Sequence, residues 1–286
     1  MLQEMVRSSA RTPTVRARAA ARRARRRLRA ATDNGLLALG VHQSEPQLIA
    51  DAARYWADED DPLWRDQSHW RGGQMIDDAQ FRRIGDDHLA LFDQLAASVG
   101  GRADLGRVLD WGCGGGANAV AFAPRASEYV GVDVSPTSLA ECRRQLSAVD
   151  GTPFVEVPVS VADPEAALPR IPGAVDLFLC LYVLELVPTP EYGLRLLRIA
   201  QQSLRPGGLA FVQFKYATGT LGTRAKRRDY RRHCSNMTTY RLEDFWTVAG
   251  EAGLAPIVMT LVPENGLDRR YAYLLLERRG SLPASG

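Results

Sequence analysis

Between Asp110 and Asp133 the chain sets two carboxylates around a glycine-dense stretch, "DWGCGGGANA", in which Gly112, Gly114, Gly115 and Gly116 fall within five residues. An apolar run precedes the glycines, and a second, "YVGVDV", contains Asp133. A strand that ends in glycines and opens a helix presents backbone N–H groups to a ligand lying on the main chain. Gly112 lets the chain turn, Gly114 omits a side chain where a ligand would touch backbone, and Gly116 lets the helix seat closely. The spacing Gly112-x-Gly114-x-x-Ala117 also satisfies the dinucleotide fingerprint, so NAD-dependent hydride transfer is one chemistry to weigh. Asp110 argues against it, because a carboxylate at this turn repels a pyrophosphate and attracts an ammonium. Asp133 is placed to accept hydrogen bonds from both hydroxyls of a ribose. A ligand with an amino-acid end, a ribose and no phosphate answers all these features, and S-adenosylmethionine is such a molecule.

A second cluster lies downstream. In residues 217–240, Arg224, Lys226, Arg227, Arg228, Arg231 and Arg232 face a single acid, Asp229. Arg227, Arg228, Arg231 and Arg232 could clamp a phosphate or carboxylate on an acceptor molecule. The competing assignment is a basic surface paired with the acidic run Asp58–Asp61. His233 is the one histidine of this segment, and an imidazole titrates near neutrality, which makes it the first candidate for a general base. His69, beside Trp70, is the second; His42 and His88 read as structural. Tyr216, Tyr230 and Trp70 are candidates for the wall of an acceptor pocket, with Trp56 and Trp64 packing nearby. No histidines and carboxylates share metal-ligand spacing, so no metal is expected.

These residues need elements to hold them. Residues 1–32 carry ten arginines against Glu4, a balance of +9, while the remainder stands at −6. This segment reads as a solvated, disordered or frayed helical tail, with an arm for an anionic surface (lipid or nucleic acid) and a transit peptide as alternatives. Residues 33–100 read as a helical, Trp-rich cap. It includes a helix over 78–99 that points Phe81, Ile84, Phe92, Leu95 and Val99 to one side. From Arg107, strands alternate with helices through "RVLDW", "EYVGVDV", "PFVEVPV", "AVDLFLCLY" and "LAFVQFKY", the pattern of a parallel sheet buried between helices. Ser135 caps the helix after the second strand, with Pro136 at its first position. "APIVMTLV" and "RYAYLLLER" follow one another without a helix and should pair antiparallel. Four cysteines without a CxxC pair, and no apolar run of about 20 residues, lead to the expectation of free thiols and a cytoplasmic location.

From about residue 78 to 280 the chain resembles the class I S-adenosylmethionine-dependent methyltransferases. The resemblance rests on the order and spacing of "VLDWGCGGG", "VGVDVSP", "VDLFLCLYVLELVP" and "LRPGGLAFVQF". It implies an α/β fold: a Rossmann-like doubly wound sheet of seven strands, the last antiparallel, here with an N-terminal helical extension. Residues 101–286 would form the cofactor-binding domain, with a basic lid at 217–240. By resemblance, Asp110, Gly112, Cys113 and Gly114 line the methionine part, Asp133 takes the ribose and Val134 packs on adenine. Asp163 stands near the adenine amine, and Cys180, Leu181 and Tyr182 lie beneath the sulfonium. Many relatives carry "LEH" after the fourth strand; here "LEL" puts Leu186 in the histidine's place, so that position supplies no base. The expectation is methyl transfer from S-adenosyl-L-methionine to a small polar, possibly anionic acceptor, with O-methylation of a sugar-containing or secondary metabolite first. An RNA methyltransferase and a non-catalytic cofactor-binding partner protein are the alternatives. The oligomeric state is not legible.

Overall fold

A computed structural model describes residues 13–61, 63–149, 151–265 and 268–280. The chain divides into two units, residues 1–42 with 220–222, and the remainder. In the first, Pro13–Ala38 forms one helix, α1. A solvated, disordered or frayed helical tail was expected over 1–32. Runs of alanine and arginine, both strong helix formers, carry the helix through most of it. Residues 1–12 lie outside the described part.

The second unit is built on a seven-stranded sheet. In chain order its elements are α2 (Glu45–Trp56), α3 (Trp64–Gln67), α4 (Asp78–Ala96), β1 (Gly106–Trp111), α5 (Ala119–Phe122), β2 (Ala126–Asp133), α6 (Pro136–Ser147), β3 (Phe154–Pro158), β4 (Val175–Cys180), α7 (Pro190–Ser203), β5 (Leu204–Lys215), α8 (Tyr230–His233), α9 (Leu242–Glu251), β6 (Leu254–Leu261) and β7 (Tyr271–Arg278). The strands lie in the order β3-β2-β1-β4-β5-β7-β6. β1 to β5 pair in parallel, and β7 runs antiparallel to both β5 and β6. The expected fold class is the one observed.

Strand side chains alternate between two cores. Leu109, Val130, Val132, Phe178, Ala210 and Val212 join one core with Leu48 and Ala52 of α2 and Leu196 and Ala200 of α7. Val108, Tyr129, Leu177, Leu179 and Phe211 join the other with Phe81, Ile84 and Phe92 of α4. Caps start the helices where the sequence places them. The Ser135 side chain accepts from Ser138 N–H, Asp77 from Gln80 and Thr189 from Tyr192. The apolar face expected on α4 holds for Phe81, Ile84, Phe92 and Leu95 but not for Val99, which is exposed. The helix tightens into a 3-10 turn at Ala97–Val99, and the change of pitch rotates Val99 outward.

α4 crosses the start of α5 at Gly85, where a Cβ would overlap the Ala117 carbonyl and the Ala121 methyl. Gly85→Ala gains about 1 kcal/mol of helix propensity but incurs overpacking of about 1–3 kcal/mol. Its thermal midpoint should therefore lie below that of the wild type; an equal or higher midpoint would show that this crossing is loose.

Candidate functional site

The C-terminal ends of β1, β2 and β4 open into a cleft of about 730 Å³, its mouth included. The sheet side of its wall comes from Trp111, Gly112, Gly114, Asp133, Val134, Leu181 and Tyr182. Val159 and Val161, after β3, add an apolar flank. The opposite side comes from the N-terminal cap (Ala52, Trp56, Gln67, Ser68 and His69) and from Leu186 and Tyr230.

The glycine loop explains how cap and sheet meet. Gly114 has a left-handed φ of 51°, and the space its Cβ would occupy is held by the Ser68 carbonyl oxygen. Gly115 N–H donates to that same oxygen at 2.8 Å. The glycine expected to clear room for a ligand thus also clears room for the chain's own backbone. Gly112, at φ 74°, leaves space taken by the Val183 side chain.

Asp133 sits in the wall and is oriented by two backbone donors, Gly114 N–H at 2.9 Å on Oδ2 and Ser135 N–H at 2.8 Å on Oδ1. A carboxylate offers about four acceptor positions, so capacity remains towards the cleft. Burial pushes its pKa up to about 6. Asp110 was expected in the same wall and lies behind it. Side chains alternate along β1, and because Trp111 faces the cleft, Asp110 faces the other core. There the Tyr129 hydroxyl donates to Oδ2 at 2.7 Å, while Oδ1 is buried without a hydrogen-bond partner. Burial, opposed by the Tyr129 bond and reinforced by Asp133, pushes Asp110 up to about 7.

Three further expected contacts stand off the wall. Cys113 turns into the core against Cys142, and its thiol is pushed up by that neighbour and by burial. Cys180 is buried beneath the cleft floor. Asp163 is exposed at the start of the 3-10 turn Pro164–Arg170, and Val161 takes the wall in its place.

Two non-glycine residues with left-handed backbones meet in the cleft, His69 at φ 50° and Tyr182 at φ 57°. Their rings pack edge to face at 4.5 Å. Left-handed non-glycine residues are strained and cluster at functional positions. Desolvation, aided by His88, lowers His69 to about 4, so its imidazole is neutral at pH 7. His233, the first base candidate, closes α8 and is not among the residues of the wall. His88 is buried with both ring nitrogens engaged, Nδ1 by Asn118 Oδ1 at 2.7 Å and Nε2 by the Tyr273 hydroxyl at 3.1 Å.

The lid arginines do not reach the cleft. Arg231 pairs with Asp61 at 2.6 Å and Asp58 at 3.4 Å, the pairing the sequence held open as the alternative. Arg227 stands 3.7 Å from Glu191. Arg228 and Arg232 are likewise absent from the wall. Tyr230 alone of the lid candidates lines it, accepting from Trp56 Nε1 at 2.9 Å and donating to the Leu186 carbonyl. Tyr216 joins an isolated bridge with Tyr240, and Trp70 reaches Ser138 Oγ at 3.4 Å with Arg65 over its ring. Among the described residues, no three His, Cys, Asp or Glu side chains stand close enough to hold a metal ion. No described helix is long and apolar enough to cross a membrane.

With this geometry in place, similarity to known proteins is informative. Residues 109–210 match the family model described as a methyltransferase domain. A ubiquinone biosynthesis O-methyltransferase from Chromobacterium violaceum is 36% identical over 115 residues, covering 40% of this chain and 45% of the relative. Another protein of that name, from Acinetobacter baumannii, is 29% identical over 121 residues, 42% of this chain and 46% of its own. The chain thus spans about half the length of the curated relatives it matches. Among solved structures, magnesium protoporphyrin IX methyltransferase from Synechocystis aligns with a TM-score of 0.56 at 16% identity, over 81% of this chain and 99% of that one. The N-methyltransferase NodS from Bradyrhizobium japonicum, in complex with S-adenosyl-L-homocysteine, aligns at 0.53 and 15%, over 75% and 96%. At such identities the agreement is one of fold.

The two aspartates give the site a pH signature. In the unfolded chain each ionises near 3.8, whereas in the folded chain protons are held to about 7 on Asp110 and about 6 on Asp133. These two carboxyls keep protons that the unfolded state has lost, so their contribution to stability falls as pH rises from about 4 to about 7, while the lowered His69 and His88 contribute in the opposite sense below about 6.5. Asp110→Asn should therefore gain stability relative to the wild type, in urea midpoints, as pH rises across the window. A difference between wild type and variant that stays constant over that range would contradict the buried, protonated state.

Proposed function

From the match of residues 109–210 to the methyltransferase-domain family we propose that the chain is a class I S-adenosylmethionine-dependent methyltransferase, and that it transfers a methyl group from S-adenosyl-L-methionine to an oxygen of a small polar acceptor. The observation that carries the proposal is the cleft itself: Asp133, Gly112 and Gly114 on one side, His69 and Tyr182 facing each other across its end. When bound, the cofactor supplies an already activated methyl group, which leaves the protein to align the reactants, exclude water and, for a hydroxyl acceptor, remove a proton.

The residues present fit that cofactor. Asp133 retains acceptor capacity for ribose hydroxyls, and Val134, Val159 and Val161 offer an apolar surface to a purine. The orphaned Asp110 Oδ1 lies behind the wall, where burial holds the carboxyl protonated to about 7 and keeps it out of contact with a ligand in the cleft. Trp56, Leu186 and Tyr230 cover the cleft opposite the sheet and keep water out.

His69 is the base in this proposal. Its ring lines the cleft, Tyr182 packs edge-on against it, and its imidazole is neutral at pH 7; burial makes it a weak base, so it takes the hydroxyl proton only as the oxygen gains the methyl group and becomes acidic. Oxygen as the methylated atom is supported by the names of the curated relatives. A sugar-containing or secondary metabolite fits a cleft of this size. The nucleic-acid alternative loses support from the lid, because Arg231 is already held by Asp58 and Asp61.

Calorimetry with S-adenosylhomocysteine tests the first part. The wild type should bind, and Asp133→Ala should weaken binding at least about tenfold, the loss of a pair of hydrogen bonds near 1.4 kcal/mol. No binding by the wild type would remove the proposal. Once a turned-over acceptor is in hand, His69→Ala should lower kcat by about 10²-fold or more while leaving S-adenosylhomocysteine affinity in place. An unaltered kcat would rule His69 out as the base.

A further inference from the structure

Between β5 and α9 the chain makes a flap whose two ends are joined. Lys226 N–H donates to the Met237 carbonyl at 3.0 Å, so residues 227–236 form a closed loop that carries α8. The flap reaches the cleft through Tyr230, which lines it, accepts from Trp56 Nε1 and donates to the Leu186 carbonyl. Its conformation is costly. Arg227 and Asp229 have left-handed backbones, at φ 50° and 49°, and neither is glycine. Arg227 Nε is buried without a hydrogen-bond partner among the described residues. Gln43, just before α2, holds both strained residues. Its N–H donates to the Arg227 carbonyl at 2.9 Å, and its Oε1 accepts from Asp229 N–H at 2.7 Å. Gln43 Nε2 donates in turn to Asp51 Oδ2 of α2 at 2.8 Å, which fixes the side chain to the cap. The Arg231 pairs with Asp61 and Asp58 close the same rim.

We infer that the flap 227–236 is the door of the cleft, that it swings on its joined ends to admit the cofactor and release S-adenosylhomocysteine, and that Gln43 is its latch. This rests on the methyltransferase reading above. The closed flap is held by contacts along its rim and opposed by its own backbone. Opening relaxes Arg227 and Asp229 and rehydrates the Arg227 guanidinium, which offsets part of what is lost at Gln43, Trp56 and Asp61. Two arrangements that close in free energy are what a gate requires. Tyr230 and Cys234 are the two buried residues of the flap, so its opening uncovers little apolar surface, while Asp229, Arg231 and Arg232 are exposed already. The cap is less free to move, because Leu48 and Ala52 of α2 lie in the core and Ser68 is bonded to Gly115.

Stopped-flow tryptophan fluorescence with S-adenosylhomocysteine follows the door directly, since Trp56 and Trp111 line the cleft. A protein that is mostly closed, with ligand or without, exchanges it in proportion to the open fraction. A weakened latch therefore raises the association and dissociation rate constants by the same factor and leaves Kd in place. Gln43→Ala, which removes one of the two bonds and the tie to Asp51, should raise both rate constants about tenfold. Arg231→Gln should raise both about two- to fivefold, as befits an exposed ion pair. Faster dissociation alone, which simple loosening of the site would give, or unaltered rates in both variants, would overturn the inference. Hydrogen exchange on the ligand-free full chain gives a second measure. Amides of residues 228–233 should exchange faster in Gln43→Ala than in the wild type while those of β1 and β4 do not, and equal exchange at the flap would also overturn the inference. Failure of S-adenosylhomocysteine to bind the wild type would instead fell the methyltransferase reading, and hydrogen exchange would still decide whether Gln43 latches the flap.

Discussion

The Ser68 carbonyl rests on the N–H of Gly115, in space that exists only because Gly114 has no side chain. This contact joins the N-terminal cap to the turn after β1, and much of the site follows from it. It brings His69 over the cleft with its backbone in the left-handed region, opposite Tyr182. It also brings Trp70 to Ser138 near the start of α6. A Cβ at Gly114 would displace Ser68, and with it His69 opposite Tyr182 and the cap above the cleft. The glycines therefore serve the fold and the cleft together. A tight turn, a place for a ligand and a seat for a neighbouring segment are separate demands met by one small stretch of backbone.

The sheet was legible because its signals are local. Continuous apolar runs marked the parallel strands, Ser135-Pro136 marked a helix start, and two runs without a helix between them marked the antiparallel pair. The glycine loop and Asp133 were legible for the same reason. The direction of Asp110 was legible in principle. Alternation along β1 sends Trp111 and Asp110 to opposite faces, which the place of Asp110 beside the glycine turn does not by itself reveal. Asp163 stands off the wall for a different reason: a loop residue has no parity to constrain it, and two positions along the chain separate the wall from solvent.

Other features lay beyond sequence reasoning because partners distant in the chain decide them. The backbone of His69 is set by Gly115, and the position of Tyr182 by Asp268 and Gln213. The arginine run shows the same limit. Its charge was plain, but whether it met a ligand or the acids at 58–61 depended on which lay nearer in space, and Arg231 found Asp61. An exposed guanidinium gains little from such a pair. Asp61, almost fully covered, gains a counter-charge that its burial demands.

The Tyr230 hydroxyl ties Trp56, 174 residues earlier, to the Leu186 carbonyl. During synthesis the chain emerges from its N-terminus, so the indole of Trp56 waits for its partner while 174 further residues are made. Until then the cap has no lid to close on, and its aromatic surface stands open to chaperones or to other nascent chains. Closing so long a loop is slow relative to local helix formation. Strands β1 to β5, all made before Tyr230, can therefore pair in a growing chain before the cleft above them has a roof.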